Sequence, residues 1–256
     1  MSDGLCFAGG DALVVGASRG LGLALARMLL AEHQPERLFL TYRGASVPAD
    51  LQRLQASARL PVELLACELT ADEDLAALHA SLRAADAKLG LTLHAAGILH
   101  ETQLRPEKAL SQVRRAGLAR LFEVNSIGPI LLAQAIMSCI PRHEPAHFAA
   151  LSAMVGSIGD NRMGGWFGYR ASKTALNQLL RTLAIEGRRT HPALCITSIH
   201  PGTTDTDLSR PFQSGVSADK LYQPDQSARR ILQVVLAGTP EESGRFMNWN
   251  GSALPW

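Results

Sequence analysis

The stretch ALVVGASRGLGLALARM, Ala12–Met28, decides how this chain folds. Ala12–Val15 is a short apolar run of the length of a buried strand. GASRGLG, Gly16–Gly22, follows at once, and from Gly20 to Ala31 apolar residues recur at helical spacing. Strand, glycine turn and helix in that order are the first half of a βαβ unit. Glycine lets the backbone turn sharply and lets a phosphate approach it. The helix start adds unpaired N–H groups and the positive end of a dipole. The spacing is Gly-x-x-x-Gly-x-Gly and not the common Gly-x-Gly-x-x-Gly, so by itself it serves equally well as a structural turn. Its place between strand and helix points to a dinucleotide site, with Gly16, Ser18, Arg19, Gly20, Leu21 and Gly22 as contacts.

The same rhythm continues along the chain. Strand-like runs occupy Arg37–Thr41, Val62–Ala66, Leu91–Ala95, His147–Ser152, Leu194–Ile199 and Arg245–Trp249. Helical patterns occupy Asp72–Ala87, Gln112–Ile140, Ala171–Arg188 and Asp225–Leu236. Continuous apolar strands separated by helices predict a parallel sheet covered on both faces. The expected architecture is α/β: a single-domain, doubly wound Rossmann fold over residues 1–256, with about seven parallel strands and helices on both faces. Residues 1–10 read as a short N-terminal extension. Two loops break the rhythm, Gly156–Gly168 and Pro201–Pro224, and both follow strands, at the sheet edge where such folds bind ligands. The second, 201–224, is the expected substrate loop.

Composition excludes several classes. A net charge of +2 gives no basic field for nucleic acid. Cys6, Cys67, Cys139 and Cys195 are scattered without a CxxC pair, as reduced, buried thiols would be, and suggest no metal site. The N-terminus has neither a basic region nor a long apolar core, so no secretory signal is expected. The most apolar stretch, Ile127–Ile140, is interrupted by Gly128, Pro129, Gln134 and Ser138 and reads as a buried helix, not a membrane span. A cytoplasmic protein is expected.

The end of the second strand reads TYRG, Thr41–Gly44, without the acid that usually holds the ribose hydroxyls of NAD. Arg43 stands there instead, and Arg19 lies inside the glycine turn. Two guanidiniums suit a 2′-phosphate, so NADP(H) is favoured, with NAD(H) possible. Further on, WFGYRASKTALNQLL, Trp166–Leu180, sets Tyr169 and Lys173 one helical turn apart.

Taken together, GASRGLG, HAAG at His94–Gly97, Asn125 in EVNSIGP, Tyr169-x-x-x-Lys173 and HPGTTDT at His200–Thr206 resemble the short-chain dehydrogenase/reductase family over nearly the whole chain. The segments GSIGDN…YRASKTALN and SGRFMNWNGSALPW resemble its branch of C-factor-like proteins and carbonyl reductases. That resemblance implies hydride transfer between a nicotinamide and a small-molecule carbonyl or alcohol, with Tyr169 as proton donor. A free phenol has a pKa of about 10, and lowering it by about 3 units takes roughly 4 kcal/mol. One ammonium at ~4 Å, in an effective dielectric of ~20, supplies about that much before desolvation subtracts from the total. Lys173 is therefore expected to acidify Tyr169 and to bind the nicotinamide ribose.

The resemblance also implies that Asn125 joins a water relay to the lysine and that a serine polarises the substrate oxygen. Here Ser152-Ala153 stands where a Ser-Ser pair is usual, so Ser152 and Ser157 are both candidates. Ala95, Ala96 and Gly97, Glu68 with Leu69, and Pro201, Gly202, Thr203 and Thr206 are expected cofactor contacts. His94 is expected to stabilise a turn. Trp166, Phe167 and Phe212 suggest an apolar substrate lining, although aromatics in loops as often anchor the loop itself. Helices with apolar residues on more than one face, including Leu131, Ile136, Leu176 and Leu183, imply a homodimer or homotetramer. A C-factor-like nucleotide-binding signalling protein with little turnover is the alternative to an enzyme.

Overall fold

Alternate residues of the first strand, β1 (Asp11–Val15), enter two separate cores. Ala12 and Val14 pack under one helical layer, Leu13 and Val15 under the other, so the strand is apolar throughout and buried on both faces. In this computed structural model, which describes residues 9–256, the same holds for β2 (Leu38–Tyr42), also wholly buried. Cys6 and residues 1–8 of the expected extension lie outside the described residues.

Helices alternate with the strands: α1 (Gly20–Met28), α2 (Ala49–Ser57), then β3 (Val62–Ala66), α3 (Asp72–Ala84) and β4 (Leu89–His94). After α4 (Arg115–Phe122) and α5 (Gly128–Ile136) come β5 (Ala146–Leu151), α6 (Phe167–Thr190) and β6 (Leu194–His200). Two-residue strands β7 (Thr203–Thr204) and β8 (Leu221–Tyr222), helix α7 (Pro224–Leu236) and β9 (Arg245–Asn248) finish the chain. The sheet runs β3-β2-β1-β4-β5-β6-β9, every neighbouring pair parallel. The expected doubly wound seven-stranded sheet is present. Between β1 and β4 the strand order reverses, which leaves a crevice at their carboxyl ends.

Two expectations are refined. The stretch Gln112–Ile140 is helical without a break from Arg115 to Cys139, with a π-helical turn, Glu123–Ile127, between α4 and α5. Pro129 cannot donate a backbone hydrogen bond, and the Gly128 backbone lies so close to Leu69 that a Cβ would sit 3.0 Å from Leu69 Cβ. The run Arg115–Cys139 has the length and composition of a membrane span, yet half of its most apolar window is buried inside the protein. The segment 201–224 is not wholly irregular: β7 and β8 pair in parallel, with short 3-10 turns between them.

At the opposite edge of the sheet one ion pair ties three elements. The Arg37 guanidinium donates to both oxygens of buried Asp11, at 2.9 and 2.7 Å, and to the Ala85 carbonyl at 2.6 Å. The Lys88 N–H donates to the same carboxylate at 2.8 Å. Removing one member of such a pair strands the other. Asp11→Ala should therefore cost about 3 kcal/mol and lower the melting temperature by roughly 6–12 °C in a calorimetric scan; a change under ~2 °C would show the pair to be inert.

Candidate active site

A cavity of about 500 Å³ opens in the crevice beyond β1 and β4, within the size range of cofactor pockets. Its floor is the glycine turn. Gly16 has φ +80°, and a Cβ there would sit 2.9 Å from the Ala96 backbone. A Cβ on Gly22 would come within 2.1 Å of the Gly16 carbonyl oxygen, so α1 can dock on the turn only through a glycine. The Gly16 N–H donates to Thr41 Oγ1 at 3.0 Å. Helix α1 starts with no side-chain cap and no acid in its first turn, leaving its N–H groups for an anion. A bare backbone cradle at a helix start fits the pyrophosphate of a dinucleotide.

Most of the expected contacts line this cavity: Gly16, Ser18, Arg19, Gly20, Leu21 and Gly22 in the glycine turn, Arg43 after β2, Glu68 and Leu69 after β3, Ala95, Ala96 and Gly97 after β4, and Pro201 and Thr206 after β6. Gly202 and Thr203 do not. Gly202 has φ +79° and packs against the Tyr222 and Trp249 rings, where a Cβ would stand 3.0 Å from both. Thr203 is spent on pairing with Leu221. The guanidiniums expected at a 2′-phosphate each face an acid: Arg19 meets Asp207 at 3.1 Å, and Arg43 meets Glu68 at 3.8 Å. Asp207, which also binds Arg210 at 2.8 Å, lines the cavity and was missed, as were Ile98 and Leu208. Asp207 directly follows the HPGTTDT motif, which was the available signal.

Tyr169 and Lys173 stand in the first turns of α6, 7% and 4% exposed, both in the cavity wall. Lys173 Nζ donates to the Leu151 carbonyl at the end of β5, at 2.8 Å, and lies 6.0 Å from the centre of the Tyr169 ring. Asn125, in the π-helical turn, brackets the backbone of Ile98: its Oδ1 accepts from the Ile98 N–H and its Nδ2 donates to the Ile98 carbonyl, both at 2.8 Å. Nδ2 also reaches Ser172 Oγ at 3.1 Å. Lys173 and Asn125 converge on Gly97, where a Cβ would lie 3.4 Å from Nζ and 3.3 Å from Oδ1.

The electrostatics correct the sequence reading. Burial pushes the Tyr169 phenol above its ordinary pKa, and burial pushes Lys173 down to about 8. Desolvation outweighs attraction because both groups are sealed from water and the ammonium turns toward Leu151. His94 does not stabilise a turn. It is the last residue of β4, fully buried, and both ring nitrogens lack a partner among the described residues. Burial, then the charge of Lys173, hold its pKa at about 3, so the ring is neutral.

The two candidate serines differ in place. Ser152 lines the cavity, its hydroxyl donating to Asn177 Oδ1 at 2.7 Å. Ser157 is buried outside it and accepts from the Asp160 N–H at 3.1 Å. Neither is bonded to the phenol.

Above Tyr169 sits an apolar cluster with Leu99, Leu104 and Leu121 at its centre and Trp166, Leu208 and Phe212 around it. Trp166 meets Phe212 edge-on at 5.1 Å and Tyr169 at 6.1 Å. Phe167 is outside the cluster and partly exposed. Trp166 itself is left-handed, φ 51°, at a cost of roughly 1–3 kcal/mol that its surroundings must offset.

A sequence profile described as short chain dehydrogenase matches residues 11–216. A 1-hydroxy-2-glutathionyl-2-methyl-3-butene dehydrogenase of Rhodococcus sp. (strain AD45) is 28% identical over 244 residues, 95% of this chain and 98% of that protein. C-signal of Myxococcus xanthus is 34% identical over 149 residues, 58% of this chain and 84% of that protein. The crystal structure of an NADPH-bound carbonyl reductase from chicken fatty liver superposes with a TM-score of 0.83 at 26% identity, over 96% of this chain and 94% of the other.

The depressed Lys173 has a consequence for stability. Between pH 8 and about 10.5 the unfolded chain binds a proton there that the folded chain does not, so stability rises with pH in that window. Urea unfolding of the parent and of Lys173→Met should show the parent gaining about 2–3 kcal/mol on the variant between pH 7 and 10. A difference that stays flat with pH would mean that the amine is not depressed.

Proposed function

The chain belongs to the short-chain dehydrogenase family, and from that membership we propose that it is an NADP(H)-dependent carbonyl reductase, able to run in reverse as an alcohol dehydrogenase. The observation that carries this reading is the buried Tyr169–Lys173 pair in the wall of a cavity floored by the glycine turn. A nicotinamide, when bound, supplies or accepts the hydride. Tyr169 gives its phenolic proton to the carbonyl oxygen. The phenol carries that proton at neutral pH, the state a reductase needs, while burial, by raising its pKa, makes it the weaker acid. Lys173 stabilises the phenolate left behind and reaches the ribose with the donors not taken by Leu151. Asn125 fixes the cavity wall at Ile98 and joins the proton relay to Lys173. Ser152, the serine in the wall, rotates its hydroxyl from Asn177 to the substrate oxygen.

Arg19 and Arg43 support NADP(H) over NAD(H). Their present pairs with Asp207 and Glu68 are solvent-exposed, and such pairs contribute little, so both guanidiniums can turn to a 2′-phosphate. The NADPH-bound carbonyl reductase among the structural neighbours points the same way. The segment 201–224 forms the substrate side, where Leu208 and Phe212 meet Trp166. Of the apolar residues expected to pair two copies, Ile136 and Leu176 are instead buried in the core; exposed Ile127 beside α5 and Ile185 on α6 are what supports a homodimer or homotetramer. Cys67, Cys139 and Cys195 are free and buried, in keeping with a reducing cytoplasm.

The second reading, a nucleotide-binding signalling protein with little turnover, is favoured by two features: the Ser152 hydroxyl committed to Asn177, and the similarity to C-signal. A panel of aldehydes, ketones and quinones with NADPH separates the two. The parent should consume NADPH, and Tyr169→Phe should lower kcat by about 10³-fold; full activity in that variant would refute the role of Tyr169. Arg43→Ala should raise the KM for NADPH at least ~10-fold and leave that for NADH unchanged, roughly the loss of one charge-assisted contact. Small-angle scattering should give a multiple of the 27.4 kDa chain mass.

A further inference from the structure

The helix that carries Tyr169 and Lys173 begins without a cap of its own. Trp166 occupies the cap position and supplies no side-chain bond, and the first turn holds no acid. Gly164, Gly165 and Trp166 are three successive left-handed residues, so the chain enters α6 through a conformation it does not hold by itself. A distant residue supplies the missing partner. Glu107, in the loop between β4 and α4, accepts the Trp166 N–H with its carbonyl and the Gly168 N–H with Oε2, the latter at 3.2 Å.

Glu107 is 4% exposed and makes no ion pair among the described residues. The unpaired N–H groups at the start of α6 are its partners. The fit is close: a Cβ on Gly168 would meet Glu107 Oε1 at 3.1 Å and Leu121 Cδ1 at 2.6 Å. Tyr169 is the next residue.

We propose that Glu107 is a positioning residue for the reaction: by capping α6 from 61 residues away it sets where the Tyr169 phenol stands in the cavity wall. It does not touch the reacting atoms. The inference rests on the reading of Tyr169 as proton donor, and it adds what holds that donor in register. Acceptance of the hydrogen bond is the requirement. Glutamine retains an acceptor at the same reach, aspartate is one methylene too short, and alanine has none.

The test compares Glu107→Ala, Glu107→Gln and Glu107→Asp in the full chain. Amide hydrogen exchange is read over residues 164–170, NADPH affinity by fluorescence, and kcat with NADPH and the panel carbonyl that the parent reduces fastest. In Glu107→Ala, exchange should rise and kcat fall, each at least ~10-fold, while the NADPH Kd stays within about twofold, because the glycine turn is untouched. Glu107→Gln should remain within about threefold of the parent in every readout.

Unchanged exchange in Glu107→Ala would overturn the cap, and faster exchange at unchanged kcat would overturn its part in the reaction. A glutamine variant as impaired as alanine would overturn the acceptor role. If Glu107→Ala does not fold, the remaining pair decides: aspartate impaired with glutamine intact supports the proposal, and equal behaviour refutes it. Exchange is read without turnover, so it judges the cap even if Tyr169→Phe keeps full activity.

Discussion

Two ionisable groups buried side by side constrain everything around the crevice. An amine taken out of water has to be hydrogen-bonded or neutral, and Lys173 is held by the Leu151 carbonyl while its pKa falls to about 8. The bond joins the end of β5 to α6. The neighbouring Ser152–Asn177 bond, at 2.7 Å, joins the same two elements one turn further along. Asn125 then locks the segment after β4 through Ile98. Four parts of the fold are thus fixed by polar groups gathered at the cavity wall. The seven-stranded sheet supplies the rigid edge from which they project.

The opposite wall is secured by different physics. The Arg230 guanidinium lies 4.3 Å from the Tyr222 ring centre and 4.2 Å from that of Trp249, and the two rings meet edge-on at 5.0 Å. This cluster joins β8, α7 and the segment after β9, and Gly202 turns tightly against it. Cation–ring contacts gain strength when desolvated. The cluster anchors the base of the 201–224 segment, while Pro201 and Thr206 face the cavity. Gly202 therefore helps anchor the loop and lies outside the cavity lining, although it sits inside the HPGTTDT motif.

Much of this was legible from one sequence because it is encoded locally. Period-3.6 stripes and short apolar runs mark helices and strands without reference to the rest of the chain, and every expected strand of the main sheet is present within a few residues. The glycine turn reads well for the same reason: left-handed backbone and close approach leave few alternatives to glycine. Boundaries failed where two segments meet in space. The π-helical turn at Asn125 leads into Gly128, which packs against Leu69, 59 residues earlier in the chain, and no local pattern announces that contact.

By itself the sequence determined the sheet and the crevice, and it singled out Tyr169 and Lys173 by their spacing and Asn125 by family resemblance, since periodicity and motif spacing are properties of neighbouring residues. Only the tertiary structure decided their environment. Burial raised the phenol and lowered the amine where one pairwise attraction had been expected to acidify the tyrosine, because desolvation is summed over every atom that closes the site. It also chose Ser152 over Ser157 for the cavity wall, and brought Glu107 to the start of α6. Each of those outcomes rests on contacts between residues far apart in the chain, which spacing along one strand or helix cannot express.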